Sequence, residues 1–257
     1  NPALTELSGL VASRSMQDVY WAHNDSGDGP RLYALDGTGA DLGMVEVAGA
    51  GAKDWEDLGL GRCPGGAGDC LYAGDIGDNA RARSAITVYV IPEPELGDDG
   101  QWTMGDGRRV ASALAVELTY PGGPRDAEAL LVDPDSGDLY IIEKTTDGAS
   151  SVYRAAAPLQ GGGPTEMEVV GEIGMGIVTA ADVMPDGSTI LVRNYFAVEA
   201  FQATGAGNLA GAFLEMPCDA PLGLAIQGEA IAFTGVGADY VTIAEGAHAV
   251  VHHYVAD

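Results

Sequence analysis

Positive charge is scarce in this 257-residue chain. Twelve Lys and Arg stand against 38 Asp and Glu, for a formal net charge of −26. Such a surface repels phosphate backbones and anionic lipid, which argues against nucleic acid or a membrane surface as partner and points to cations, divalent ones above all. No apolar run approaches the ~18 residues of a membrane span. No helical stripe of useful length appears either, which argues against a helix bundle. The chain begins at Asn1 with neither Met nor a basic-plus-apolar leader, and is read as a mature secreted form or a trimmed chain. What is abundant is turn chemistry. Gly 38 and Pro 13 make up about a fifth of the residues, beside 46% hydrophobic ones, the composition of a turn-rich globular protein rather than a disordered one.

Cysteine is rare, with three in all. Cys63 and Cys70 enclose the flexible segment Pro64–Asp69 between two strand-like runs. A disulfide there fits an oxidising compartment, hence an extracellular or periplasmic protein. No second Cys/His pair lies nearby to complete a zinc site. Cys218 is left over and is expected to be buried and unpaired.

A short motif recurs five times: Glu6-Leu-Ser-Gly-Leu10, Asp54-Trp-Glu-Asp-Leu58, Asp126-Ala-Glu-Ala-Leu130, Thr179-Ala-Ala-Asp-Val183 and Gln227-Gly-Glu-Ala-Ile231. Its third column reads Ser8, Glu56, Glu128, Ala181, Glu229, and its fifth is always aliphatic. A turn and a second apolar run follow each motif, ending in polar residues such as His23-Asn24-Asp25, Asp75, Glu143-Lys144, Arg193-Asn194 and Glu245. Third runs follow in every unit. Fourth runs, Ala210–Met216 among them, are readable in the first four. The pattern predicts an all-β fold, a five-bladed β-propeller, with six blades as the alternative. It would be a single domain over residues 1–257, with blades starting near residues 6, 54, 126, 179 and 227. The Pro92–Arg109 insertion reads as a surface loop, and Pro2–Leu7 is expected to supply the strand that closes the ring.

In a propeller the first strand of each blade lines the central channel, so the third column converges on one mouth. Carboxylates facing one another there cannot all stay ionised without a counter-charge. Either some are protonated or held by a neighbouring blade's backbone, or a cation lies between them. An oxygen-only donor set favours Ca²⁺.

The set Glu6-Leu-Ser, Trp55-Glu56, Glu128-Ala-Leu, Ala181-Asp-Val-Met-Pro-Asp-Gly and Gly228-Glu229-Ala-Ile resembles the calcium-dependent apyrases, the calcium-activated nucleotidases. That resemblance implies a five-bladed propeller with one Ca²⁺ in its channel on Ser8, Glu56, Glu128 and Glu229. The family has Ser where this chain is read to have Ala181, and Asn24-Asp25-Ser-Gly resembles its Asp-Asp-Arg-Thr-Gly segment with two replacements. The motifs His23–Asp28, Asp54–Glu56, Gly74–Asn79 and Asp126–Leu130, in that order, are similar more specifically to secreted bacterial β-propeller proteins of unassigned function.

Two functions follow as expectations. One is a Ca²⁺-dependent hydrolase of phosphate or carboxylate esters. In it Asp25 or Asp75 acts as base, and Lys144 and Arg193 hold a small anionic substrate. The other is a non-catalytic module with a structural Ca²⁺, whose face binds a protein or glycan.

Overall fold

The computed structural model describes residues 1–66, 68–97, 100–104, 110–203, 207–223, 228–235, 237–246 and 249–256. Blade one runs outward through β1 (Leu7–Ala12), β2 (Val19–Asn24), β3 (Arg31–Asp36) and β4 (Asp41–Ala48). Blade two begins with β5 (Trp55–Arg62), β6 (Asp69–Asp75) and β7 (Ile86–Pro92). A small hairpin, β8 (Glu95–Leu96) and β9 (Trp102–Thr103), then precedes β10 (Val110–Ser112), which returns to pair parallel with β4. β11 (Leu114–Thr119) pairs with β7 as the fourth strand of blade two. Blade three is β12 (Ala127–Val132), β13 (Leu139–Glu143), β14 (Ser150–Ala155) and β16 (Glu168–Ile173), with β15 (Thr165–Glu166) lying parallel on β11. Blade four holds β17 (Val178–Val183), β18 (Thr189–Asn194) and β19 (Val198–Gln202), a short helix α1 (Leu209–Ala212), and β20 (Cys218–Ala220). Blade five has β21 (Gly228–Phe233), β22 (Tyr240–Ala244) and β23 (Val251–Tyr254). The start of its motif, Gln227, lies outside the described residues.

The inner strands β1, β5, β12, β17 and β21 neighbour one another in a closed circle, so the molecule is a five-bladed β-propeller. Five apolar layers hold it, one between each pair of blades. Trp21, Leu32 and Trp55 belong to the layer between blades one and two, and Tyr72, Leu130 and Ile141 to the next. Strands covered on both faces need apolar residues at nearly every position. The six residues of β12 are all buried, as are the five of β13.

Four expectations change. The segment before β1 forms no strand: Leu4 N donates to Asn1 O (3.1 Å), and Glu6 N to the Asn24 side chain (3.0 Å), which uses the hydrogen bonds an edge strand would need. The ring closes instead by packing of Leu7, Leu10 and Tyr20 on Ala230, Val241 and Ile243, with Leu4 against the same cluster. The run Ala210–Met216 is helical at its start, because Asn208 caps a turn there (Gly211 N to Oδ1, 3.1 Å), and the outer strand falls on Cys218–Ala220. Cys218, on that outer strand, is free but exposed. The described part of the Pro92–Arg109 insertion is not merely a loop, since Trp102 and Met104 are buried in the layer between blades one and two. Cys63 and Cys70 form the expected disulfide.

Candidate functional site

Every inner strand breaks register with its neighbour near its start. The shifts fall at Leu7/Leu10, Trp55/Asp57, Ala127/Ala129, Val178/Ala180 and Gly228/Ala230. A β-bulge re-aims a side chain and recurs next to functional sites. The residues it singles out are Ser8, Glu56, Glu128, Thr179 and Glu229. The repeated column is therefore real, but its fourth member is Thr179 and not Ala181. A hydroxyl residue therefore stands at this position in blade four, as Ser8 does in blade one. Aligning Val178-Thr179 with Trp55-Glu56 and Gly228-Glu229 would have found it from the sequence.

These side chains meet around the channel. The Ser8 hydroxyl donates to the Glu56 carbonyl of the next blade, and Thr179 Oγ1 to the Gly228 carbonyl at 2.9 Å. Burial raises the pKa of Glu56, Glu128 and Glu229. Glu128 pushes Glu56 further up, and Glu229 does the same to Glu128.

The ring is not electrically uniform. On one side Lys144 is paired with Glu128 and lies 3.4 Å from Tyr195 Oη. Burial pulls the Lys144 amine down, but Glu128 more than offsets this and holds it charged. Lys144 and Arg193 likewise oppose the burial of Glu229, which Tyr195 also hydrogen-bonds. On the other side Glu56 converges with Asp25 and Asp54, and one carboxylate oxygen from each lies within 4.8 Å of the others. Among the described residues no ion pair includes any of these three. Burial and then Asp25 raise Asp54. Asp25 and Asp54 are half-buried, so the cluster opens to solvent, whereas Glu56 is buried beneath them.

Gly77 makes room for the convergence. A Cβ there would lie 2.0 Å from Glu56 Oε1 and 2.5 Å from Asp54 Oδ2. Its amide is tied to the Asp54 carbonyl at 3.2 Å, and the following residue, Asp78, donates its amide to Asp126 Oδ1 at 2.8 Å.

The residues expected to act in catalysis are placed differently. Asp75 is buried, with Oδ1 taking Arg83 Nη1 at 2.8 Å and the Asp54 amide at 3.2 Å, and Oδ2 the Lys53 amide at 3.3 Å. Arg193 is wholly buried beneath the mouth. Its Nη1 donates to the Ala230 carbonyl at 2.9 Å, and its Nη2 occupies the space a Cβ on Gly228 would take. Burial brings this guanidinium down to about 10. Lys144 is engaged by Glu128. Of the four, Asp25 alone joins the open cluster. His23 is also fully buried, its Nδ1 donating to the Asn24 carbonyl at 2.9 Å and its ring edge-on to Trp55.

Asp57 was not singled out in the sequence. It is fully buried, with Oδ2 accepting from Leu130 N at 2.8 Å and Ala181 N at 3.2 Å. One side chain of blade two thus binds the inner strands of blades three and four.

No known family matches the chain, and no curated protein is similar to it. A solved structure with a similar fold is an auxiliary nutrient binding protein from Bacteroides thetaiotaomicron, at 11% identity and a TM-score of 0.45. The match covers 84% of this chain and 42% of that one, so this chain spans less than half of that protein. The architecture rests on its own strand order. No described helix is long and apolar enough to cross a membrane.

Proposed function

We propose that this protein is a divalent-cation-binding propeller, with one Ca²⁺ at the channel mouth on Asp25, Asp54 and Glu56. The observation that carries the reading is the convergence of three carboxylates that form no ion pair among the described residues, in a cradle that only glycine at position 77 permits. Hard oxygen donors suit Ca²⁺, which completes its six to eight ligands with water on an open side. The Ser8 oxygen and the Glu56 carbonyl lie at the same level of the ring. Glu128 and Glu229 shape the field from the far side, where Lys144 pairs with Glu128 and Lys144 and Arg193 together oppose the charge of Glu229. The Cys63–Cys70 disulfide supports an exported, oxidising setting.

The geometry favours a binding module over an ester hydrolase. Asp75 is held by Arg83 and Lys144 by Glu128, and Arg193 is wholly buried, so none of the three is placed to act on a substrate. The ion then acts by fixing the mouth loops of blades one and two, and the rim around it is the face on which a protein or glycan would dock.

Thermal melts test this. EDTA is expected to lower the melting temperature by about 5 °C or more, and saturating Ca²⁺ to restore it, since a ligand at a hundred times its Kd stabilises by about 2.7 kcal/mol. Melting that is unchanged by EDTA and by Ca²⁺ contradicts the site. Turnover of nucleotides or aryl esters that vanishes in Glu56→Gln would replace the binding module with the hydrolase.

A further inference from the structure

The opposite end of the channel holds a separate cavity of ≈ 600 Å³, framed by the far ends of β1, β5, β17 and β21 and by the 13–18 turn. Asp57 bridges the inner strands between it and the mouth. Its walls are largely apolar, with Val11, Met16, Leu60, Val183 and Phe233 in the lining.

Asp182 lies among them. It is 8% exposed, with Oδ1 accepting from Val183 N and Oδ2 from Phe233 N, both at 2.8 Å. Each oxygen of a carboxylate can accept a further hydrogen bond. Burial moves this acid up to about 7, with the Arg14 charge opposing only as the smallest influence. Arg14 is engaged elsewhere, its Nη2 donating to the Leu60 carbonyl at 3.1 Å and its Nη1 3.9 Å from Asp69.

We propose that this cavity binds a small organic amine, with the ammonium on Asp182 and an apolar body against Val11, Met16 and Phe233. The volume suits a small-molecule ligand. A bare metal ion would find one carboxylate among apolar walls, far short of the oxygens it needs. The net charge of −26 concentrates cations at the surface and disfavours anions.

Calorimetric titration tests it at pH 8 in EDTA, so that the mouth site plays no part. The probes are 2-phenylethylamine, the neutral 2-phenylethanol and the acid 3-phenylpropionate. The amine is expected to bind saturably and at least tenfold more tightly than either of the others. Asp182→Asn should weaken it at least tenfold. Ser15→Trp, a change in the exposed turn that places bulk over the cavity, should abolish binding while leaving the melting temperature in place. A preference for the acid, equal affinity for alcohol and amine, no binding of any probe, or full amine binding to Ser15→Trp would each overturn the proposal.

Discussion

Gly77 is the residue on which the mouth cluster depends most directly. Replacing it with alanine puts a methyl group 2.0 Å from Glu56 Oε1 and 2.5 Å from Asp54 Oδ2, so the two carboxylates must part. Gly77→Ala is expected to weaken Ca²⁺ binding at least tenfold in a titration while the protein still folds. Unchanged affinity would mean that the ion does not use these two groups together. Asp57 works at the same scale for the fold. Asp57→Ala strands the buried amides of Leu130 and Ala181, each costing roughly 1–3 kcal/mol. Denaturant unfolding should show a loss of about 3 kcal/mol. Glu56 and Glu128 could be read from the sequence because they recur with the fold period. Asp54 was in view as the first residue of its motif, but not as a member of the cluster, and Asp57 was not singled out at all. Their roles depend on which way a bulged strand turns each side chain, and periodicity does not carry that.

At the level of the element, the second and third strands of the five blades were legible because short apolar runs bounded by Gly, Pro, Asp and Asn have few other uses. The bulge was less so. It adds one residue to the inner strand, and in blade four Thr179-Ala-Ala-Asp imitates the motif two positions out of phase, which put Ala181 where Thr179 stands. The closure of the ring was misread for a related reason. Pro2–Leu7 has the composition of a strand, but Asn24 captures it through Glu6 N and the Ala3 carbonyl, an 18- to 21-residue separation that no local pattern reveals. Lys144 and Arg193 were correctly seen as unusual. Lys144 pairs with Glu128, and the charges of Lys144 and Arg193 both act on the buried Glu229.

For the whole molecule, buried acids make stability depend on pH. Burial raises Asp182 to about 7 and pushes Glu56, Glu128 and Glu229 in the same direction. In the unfolded chain such groups titrate near ~4. The folded state thus keeps protons that the unfolded state releases. The stability from these groups is complete below about pH 4 and drains away as pH rises, through about 7 for Asp182 and about 8 for Glu128, and higher still for Glu56. In EDTA the protein should therefore melt at a higher temperature at pH 5 than at pH 8. Calcium should narrow the difference, because at Glu56 it replaces the proton as counter-charge. A melting temperature in EDTA that rises from pH 5 to pH 8 would show that these acids are ionised at no cost.

The central claim is a single cation on Asp25, Asp54 and Glu56, and calorimetric titration of EDTA-stripped protein with CaCl₂ tests it most directly. The account predicts saturation at one Ca²⁺ per chain, at least tenfold weaker in Glu56→Gln. No saturable heat, or a wild-type isotherm from Glu56→Gln, would contradict it.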